Sequence, residues 1–249
     1  MRVAMDQDGR DRLSGDVEFD ETYVGGKEEG AFGRARGKKE PIAVACEHSS
    51  TATMGRIRMG RLPDASALAI ADFLEHNVES GSVILCDNFS SYQPAFDELA
   101  ARGLHYSLKS TTLGNTKAHL VHPHVHRAAS LLKRWLLGTH QGSVQGPHLD
   151  AYLDEFVFRF NRRNSRNRGL VFWRLVCALL DTPPMTREEI GRRRADQKAT
   201  DAVHARRTEE WRLEQNRVIL RKRYRAKAEE KGKTVRDYRR TKGLKEQAP

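Results

Sequence analysis

Two aspartates occupy positions from which a β-sheet could bring carboxylates together. Asp20 lies in the alternating run Val17–Val24 (VEFDETYV), and Asp87 closes the apolar run Ser82–Asp87 (SVILCD). Carboxylates carried on neighbouring strands offer the hard oxygen ligands that Mg2+ requires. Two divalent ions held about 4 Å apart can activate an attacking oxygen and stabilise a leaving one in an in-line phosphoryl displacement. On spacing alone the same residues fit a second description as well: a surface carboxylate at Asp20, and at Asp87 an N-cap for the SSYQPAF segment. His119, His122, His124 and His126 also cluster, but without cysteines or a regular two-helix spacing they read as loop composition rather than a zinc site. Trp135, Phe156, Phe158, Phe160, Phe172 and Trp173 recur at helical intervals and are expected in the core, not as base-stacking residues.

The elements that must position these residues follow from periodicity. Residues 17–24, 41–47 and 53–59 alternate as strands and suggest an antiparallel meander. Asp64 or Ser66 can cap a helix through ALAIADFLEHNV, which Glu79-Ser80-Gly81 ends. SVILCD is apolar enough for a strand covered on both faces. A helix around Tyr92–Arg102 and a strand at His105–Lys109 follow. The order βββαβαβ indicates an α/β fold, a mixed ribonuclease-H-like sheet with helices C-terminal to it. Thr111–His124 reads as a loop. Beyond it come helices from about Val125, with Gly138 as their stop, then over His148–Arg162 and Gly169–Leu180. Pro183-Pro184 marks a boundary, and Thr186–Lys231 forms one or two charged helices. The chain thus divides into an N-terminal segment 1–15, a catalytic-type domain 16–182 and a basic helical tail 183–249.

The 249 residues suffice for a substantial core, and three scattered cysteines exclude a disulfide framework or a Cys-x-x-Cys zinc ribbon. No apolar run reaches membrane-spanning length, so a cytoplasmic protein without a membrane partner is expected. The net charge of +11 points to a polyanionic partner. Residues 181–249 hold 21 Lys and Arg against 12 Asp and Glu, so the tail carries most of that charge. Arg192, Arg193, Arg194, Arg221, Lys222 and Arg223 are its candidate phosphate contacts; the alternative is a solvated charged helix.

Five blocks in order, DETYVGGK from Asp20, PDAS from Pro63, CDNFSSY from Cys86, SLLKR with GTH from Ser130, and YLDEF with RFNRR from Tyr152, resemble the ISXO-type insertion-sequence transposase domain. The likeness covers roughly residues 16–180. It implies metal-dependent cleavage and transfer of double-stranded DNA, at element ends and target, by a prokaryotic homo-oligomer using Mg2+ or Mn2+. It makes Asp20 and Asp87 the first two acids of the DDE site. The family places an acid or amide seven residues before the lysine matched by Lys133, and here that position is His126. No Asp or Glu lies between Leu99 and Leu149. His126 is then the third metal ligand, and imidazole suits Mn2+ better than Mg2+. Lys133 falls two helical turns on, on the same face as His126, to contact DNA phosphate beside the metals; Arg134 is a second phosphate contact. The family's N-terminal zinc ribbon has no counterpart in the sequence. The His126 departure leaves two further readings, an inactive transposase-derived DNA-binding protein and a nuclease that cuts without joining.

Overall fold

A computed structural model defines residues 2–5, 12–25, 39–49, 53–111, 121–141, 146–182 and 186–230. The chain divides into two compact units, Met1–Lys198 and Ala199–Pro249. The first is built on a sheet. Strands β1 (Asp16–Val24), β2 (Glu40–Ser49) and β3 (Thr53–Arg61) form an antiparallel meander. Strands β4 (Val83–Asp87) and β5 (Ser107–Thr111) continue the sheet in parallel, in the order β3-β2-β1-β4-β5. Parallel neighbours need a crossover. Helix α1 (Ala67–Asn77) leads into β4 and helix α2 (Tyr92–Ala101) joins β4 to β5. This is the expected mixed ribonuclease-H-like α/β arrangement.

Alternation along β1 sends its side chains to two different layers. Phe19 points one way, its ring 5.8 Å from Phe73 of α1 and 5.7 Å from Tyr92 of α2. Val24 points the other way, into a cluster with Ile42, Val44, Cys46, Ile57 and Met59. Helices α3 (Pro123–His140) and α4 (Gly146–Asn161) close this second face with Val125, Ala128, Leu132 and Leu136 and with Leu149, Leu153 and Phe156. Each fully buried Leu or Val contributes roughly 1.5–3 kcal/mol, so the stripe on α3 suffices to hold that helix on the sheet.

The outer edge of β3 is covered from the end of α4. The Asn161 side chain accepts from Ile57 N at 2.8 Å and donates to Ile57 O at 3.0 Å. Arg163 donates to the carbonyls of Met54 and Gly55. Together they satisfy backbone groups that an open edge strand would expose.

Several boundaries differ from those expected. The 111–124 loop reading fails at its end, because α3 starts at Pro123 and takes in His124. Proline at the first helical position sacrifices only an N–H that has no helical partner. Gly138 does not stop α3. A Cβ at Gly138 would meet nothing within 4 Å, so the glycine sits on an open face, and the helix runs on to His140, where Gln141 adopts φ 52°. β5 lies two residues later than the pattern suggested, because its pairing with β4 starts at Ser107 opposite Val83.

Helix α5 (Arg168–Asp181) contradicts the core expectation for two aromatics: Phe172 is 68% and Trp173 62% exposed, and no residue of the helix is buried. Leu175, Val176 and Leu179 are half-buried. Helix α6 (Arg187–Glu230) is a single 44-residue helix, on which Arg192, Arg221, Lys222 and Arg223 are exposed. The side chains of Arg193 and Arg194, like His119, lie outside the described residues. Among the described residues no helix is long and apolar enough to cross a membrane.

Candidate active site

β1 and β4 run in parallel with Asp16 opposite Val83 and Glu18 opposite Leu85. The pairing ends there; Asp20 lies two residues beyond Glu18 on β1, and Asp87 two residues beyond Leu85 at the end of β4. Each carboxylate is fixed by a nearby backbone donor. Asp20 Oδ1 accepts from Glu21 N at 2.8 Å, and Asp87 Oδ1 accepts from Phe89 N at 3.0 Å. The latter is a local turn bond; the N-cap of α2 is Ser91. Both acids also bear on Tyr92, whose hydroxyl pKa is driven up first by burial and then by the charges of Glu21, Asp20 and Asp87. Glu21 belongs to the opposite layer. It accepts a hydrogen bond from the Tyr92 hydroxyl at 3.1 Å, as strand alternation after Asp20 requires.

Helix α3 meets this face through a residue that sequence reasoning passed over. Glu18, 1% exposed, accepts from the backbone N–H of His124 at 2.8 Å and of Val125 at 3.0 Å, and contacts His124 Nδ1 at 2.7 Å. A carboxylate here satisfies orphan donors and complements the positive end of the helix. His48 joins it, with Nε2 3.6 Å from Glu18 and its ring edge-on to His124 at 4.7 Å. The possible ligand atoms of Glu18, His48 and His124 lie within 4.8 Å of one another, a spacing compatible with a metal ion. In this structure the Glu18 oxygens are engaged by three donors, so the cluster acts as a staple between β1, β2 and α3. Strand alternation placed Glu18 on Asp20's face; its acceptor role depends on a contact across 106 residues.

That staple sets the next turn of α3. His126 Nδ1 lies 3.7 Å from Asp20 Oδ2, and both side chains are part-exposed. Lys133 is within electrostatic reach of Asp20. Its pKa is lowered, chiefly by desolvation and further by Lys39, while Asp20 opposes the shift. Arg134 is exposed on the same helix. The histidine stretch therefore separates by function: His124 binds Glu18, His126 faces Asp20, and His122 is buried at the N-cap.

A family model for the ISXO2-like transposase domain matches residues 12–161, well over half of the chain. The chain belongs to the ISXO2-like transposase domain family. The matched span contains β1 to β5 and the α3–α4 pair, hence both aspartates, His126 and Lys133. No curated protein matches it. Among solved structures, a chain of the simian T-cell lymphotropic virus intasome bound to PP2A regulatory subunit B56 gamma is 13% identical, with 63% of this chain and 51% of that chain covered and a TM-score of 0.42. This chain thus spans about half the length of that one. The catalytic core domain of BIV integrase is 18% identical, with 63% and 88% covered and a TM-score of 0.39.

Proposed function

We propose that this transposase-family domain cleaves double-stranded DNA at the ends of an insertion sequence and transfers the freed ends to target DNA, using Asp20, Asp87 and His126 around one centre. The observation that carries this reading is the approach of His126 to Asp20 at 3.7 Å, on a strand that pairs in parallel with the strand ending at Asp87. Two carboxylates and an imidazole make a donor set that fits a divalent cation and favours Mn2+ over Mg2+. Bound there, such a cation would supply charge neutralisation at the phosphodiester and a lowered pKa for water.

The chain's own residues do the positioning. Glu21 N and Phe89 N hold the two carboxylates in fixed rotamers, and Glu18 anchors the helix turn before His126. Lys133, exposed on the helix that carries His126, contacts the phosphate beside the scissile bond. Water hydrolyses the phosphodiester at the element end, and the 3′-hydroxyl released attacks target DNA in line, without a covalent protein intermediate. Arg134 and the exposed arginines and lysine of α6 hold flanking phosphates, in a homo-oligomer assembled on DNA in the prokaryotic cytoplasm.

Nicking of labelled duplex by wild type, Asp87→Asn and His126→Glu tests the assignment. Expected are more activity with Mn2+ than Mg2+ in the wild type, none with Asp87→Asn, and a rise in Mg2+-supported activity with His126→Glu. Inactivity of all three leaves the DNA-binding reading, and activity indifferent to Asp87→Asn removes the site from the chemistry.

A further inference from the structure

The two oxygens of Glu18 have different neighbours. Oε2 takes both backbone N–H groups at the start of α3, from His124 at 2.8 Å and Val125 at 3.0 Å. Oε1 faces two imidazoles instead, His124 Nδ1 at 2.7 Å and His48 Nε2 at 3.6 Å. One oxygen therefore holds the helix start, and the other has no part in it. A hydrogen bond joins Oε1 to His124, but 3.6 Å is too long for another to His48. Nor do the two rings stack, since their centroids are 4.7 Å apart at an interplanar angle of 83°. Three ligand-type atoms thus converge within 4.8 Å of one another, drawn from β1, β2 and α3.

The donor set selects the occupant. Two imidazole nitrogens and one carboxylate oxygen suit Zn2+, whereas Mg2+ demands oxygen ligands. Tetrahedral ligands at the usual zinc distances of about 2.0–2.1 Å stand roughly 3.4 Å from one another, so adjustments on the order of 1 Å complete the geometry. The ligating carboxylate already has the outer hydrogen bonds that such sites use, from His124 N and Val125 N to Oε2. Glu18 and His124 are buried while His48 is exposed, which gives an ion an entry path and leaves room for water as a fourth ligand.

We propose that Glu18 Oε1, His48 Nε2 and His124 Nδ1 bind one Zn2+ ion, a second metal site on this domain. It shares no residue with Asp20, Asp87 and His126, though Glu18 lies two residues from Asp20 along β1 and His124 two from His126 along α3. The ion ties β2 to β1 and α3 at one point and fixes the turn that carries His126 toward Asp20. It is a clamp and takes no part in phosphodiester chemistry.

Full-length protein stripped with chelator and titrated with ZnCl2 tests the site by calorimetry and thermal melts. His48→Ala removes the exposed ligand and leaves Oε2 on the helix start, so its melting temperature in EDTA should match wild type. Zn2+ should bind wild type and Asp87→Asn with equal affinity at this site and raise both melting temperatures. In His48→Ala the affinity should fall by more than about 100-fold, the upper range for losing even an outer partner of a metal ligand, and the rise should vanish. His48→Cys keeps a ligand at the position. With CoCl2 it should show a thiolate-to-cobalt charge-transfer band that wild type lacks, a readout that stands even where His48→Ala folds poorly. Loss of binding in Asp87→Asn but not in His48→Ala overturns the proposal, because the ion then belongs to the aspartate centre. No Zn2+ binding to wild type, equal affinity in wild type and His48→Ala, or no new cobalt band in His48→Cys also overturns it and leaves a hydrogen-bonded staple. No DNA enters these measurements, so their outcome is independent of whether the aspartate centre cleaves.

Discussion

Removing the Glu18 carboxylate measures how firmly the sheet holds the helix that carries His126. In Glu18→Ala the N–H groups of His124 and Val125, now 2.8 and 3.0 Å from Glu18 Oε2, are left without their acceptor in a buried site. A buried donor left unsatisfied costs about 1–3 kcal/mol, so the two together cost about 2–6 kcal/mol, before any cavity is counted. That is comparable to the whole stability of an ordinary domain, about 5–15 kcal/mol. Glu18→Gln is the informative partner. Its amide oxygen still accepts from the backbone, and what disappears is the charge at the helix end and the charge-assisted bond to His124, together about 1–3 kcal/mol. Urea unfolding followed by tryptophan fluorescence should show midpoints ordered wild type, Gln, Ala, with equal m-values. Amide exchange at His124 and Val125 should accelerate in the same order. A Glu18→Ala protein within about 0.5 kcal/mol of wild type, its two amides still protected, would refute the staple; surface substitutions commonly fall in that range.

Four further outcomes follow. Burial, with Glu18 and Glu47 adding to it and Arg163 opposing, pushes the Cys46 thiol from 9.0 up to about 12. The raised folded value means that this stabilisation is complete below pH 9 and is lost as pH rises toward 12, so unfolding free energy should fall above pH 9, less steeply in Cys46→Ala, and native Cys46 should resist thiol reagents at pH 8. A Cβ at Gly55 would lie 2.7 Å from both Glu47 Cβ and Glu47 O, where the β2–β3 register shifts, so Gly55→Ala should destabilise by about 1–3 kcal/mol. Gly138→Ala, with nothing within 4 Å in the last turn of α3, should stabilise by about 0.5 kcal/mol, and thermal melts that fail to separate the two variants would contradict both assignments. Deleting residues 199–249 should weaken duplex binding and flatten its salt dependence by about 0.9 for each phosphate that this part of the tail neutralises; an unchanged slope would exclude residues 199–249 from DNA binding.

Local pattern was enough for much of the fold. Period-two alternation in VEFDETYV separates Asp20 from Glu21, so that one faces α3 and the other Tyr92, and Ser66 caps α1 by accepting from Ala69 N at 3.3 Å. The seven-residue interval from His126 to Lys133 carries its own geometry, because two helical turns return to one face wherever the helix lies. Other features depend on partners far away in sequence. The strands that carry Asp20 and Asp87 pair in parallel although β2, β3 and α1 separate them in sequence, and no local period encodes which strands become neighbours. The start of α3 is hidden from a local reading because Pro123 and the histidines around it resemble a loop until a buried carboxylate 106 residues earlier accepts from its first turn. Phe172 and Trp173 have the composition of a core and the exposure of a surface. Composition states the cost of leaving an apolar ring in water, whereas only packing decides whether this chain or another molecule covers it.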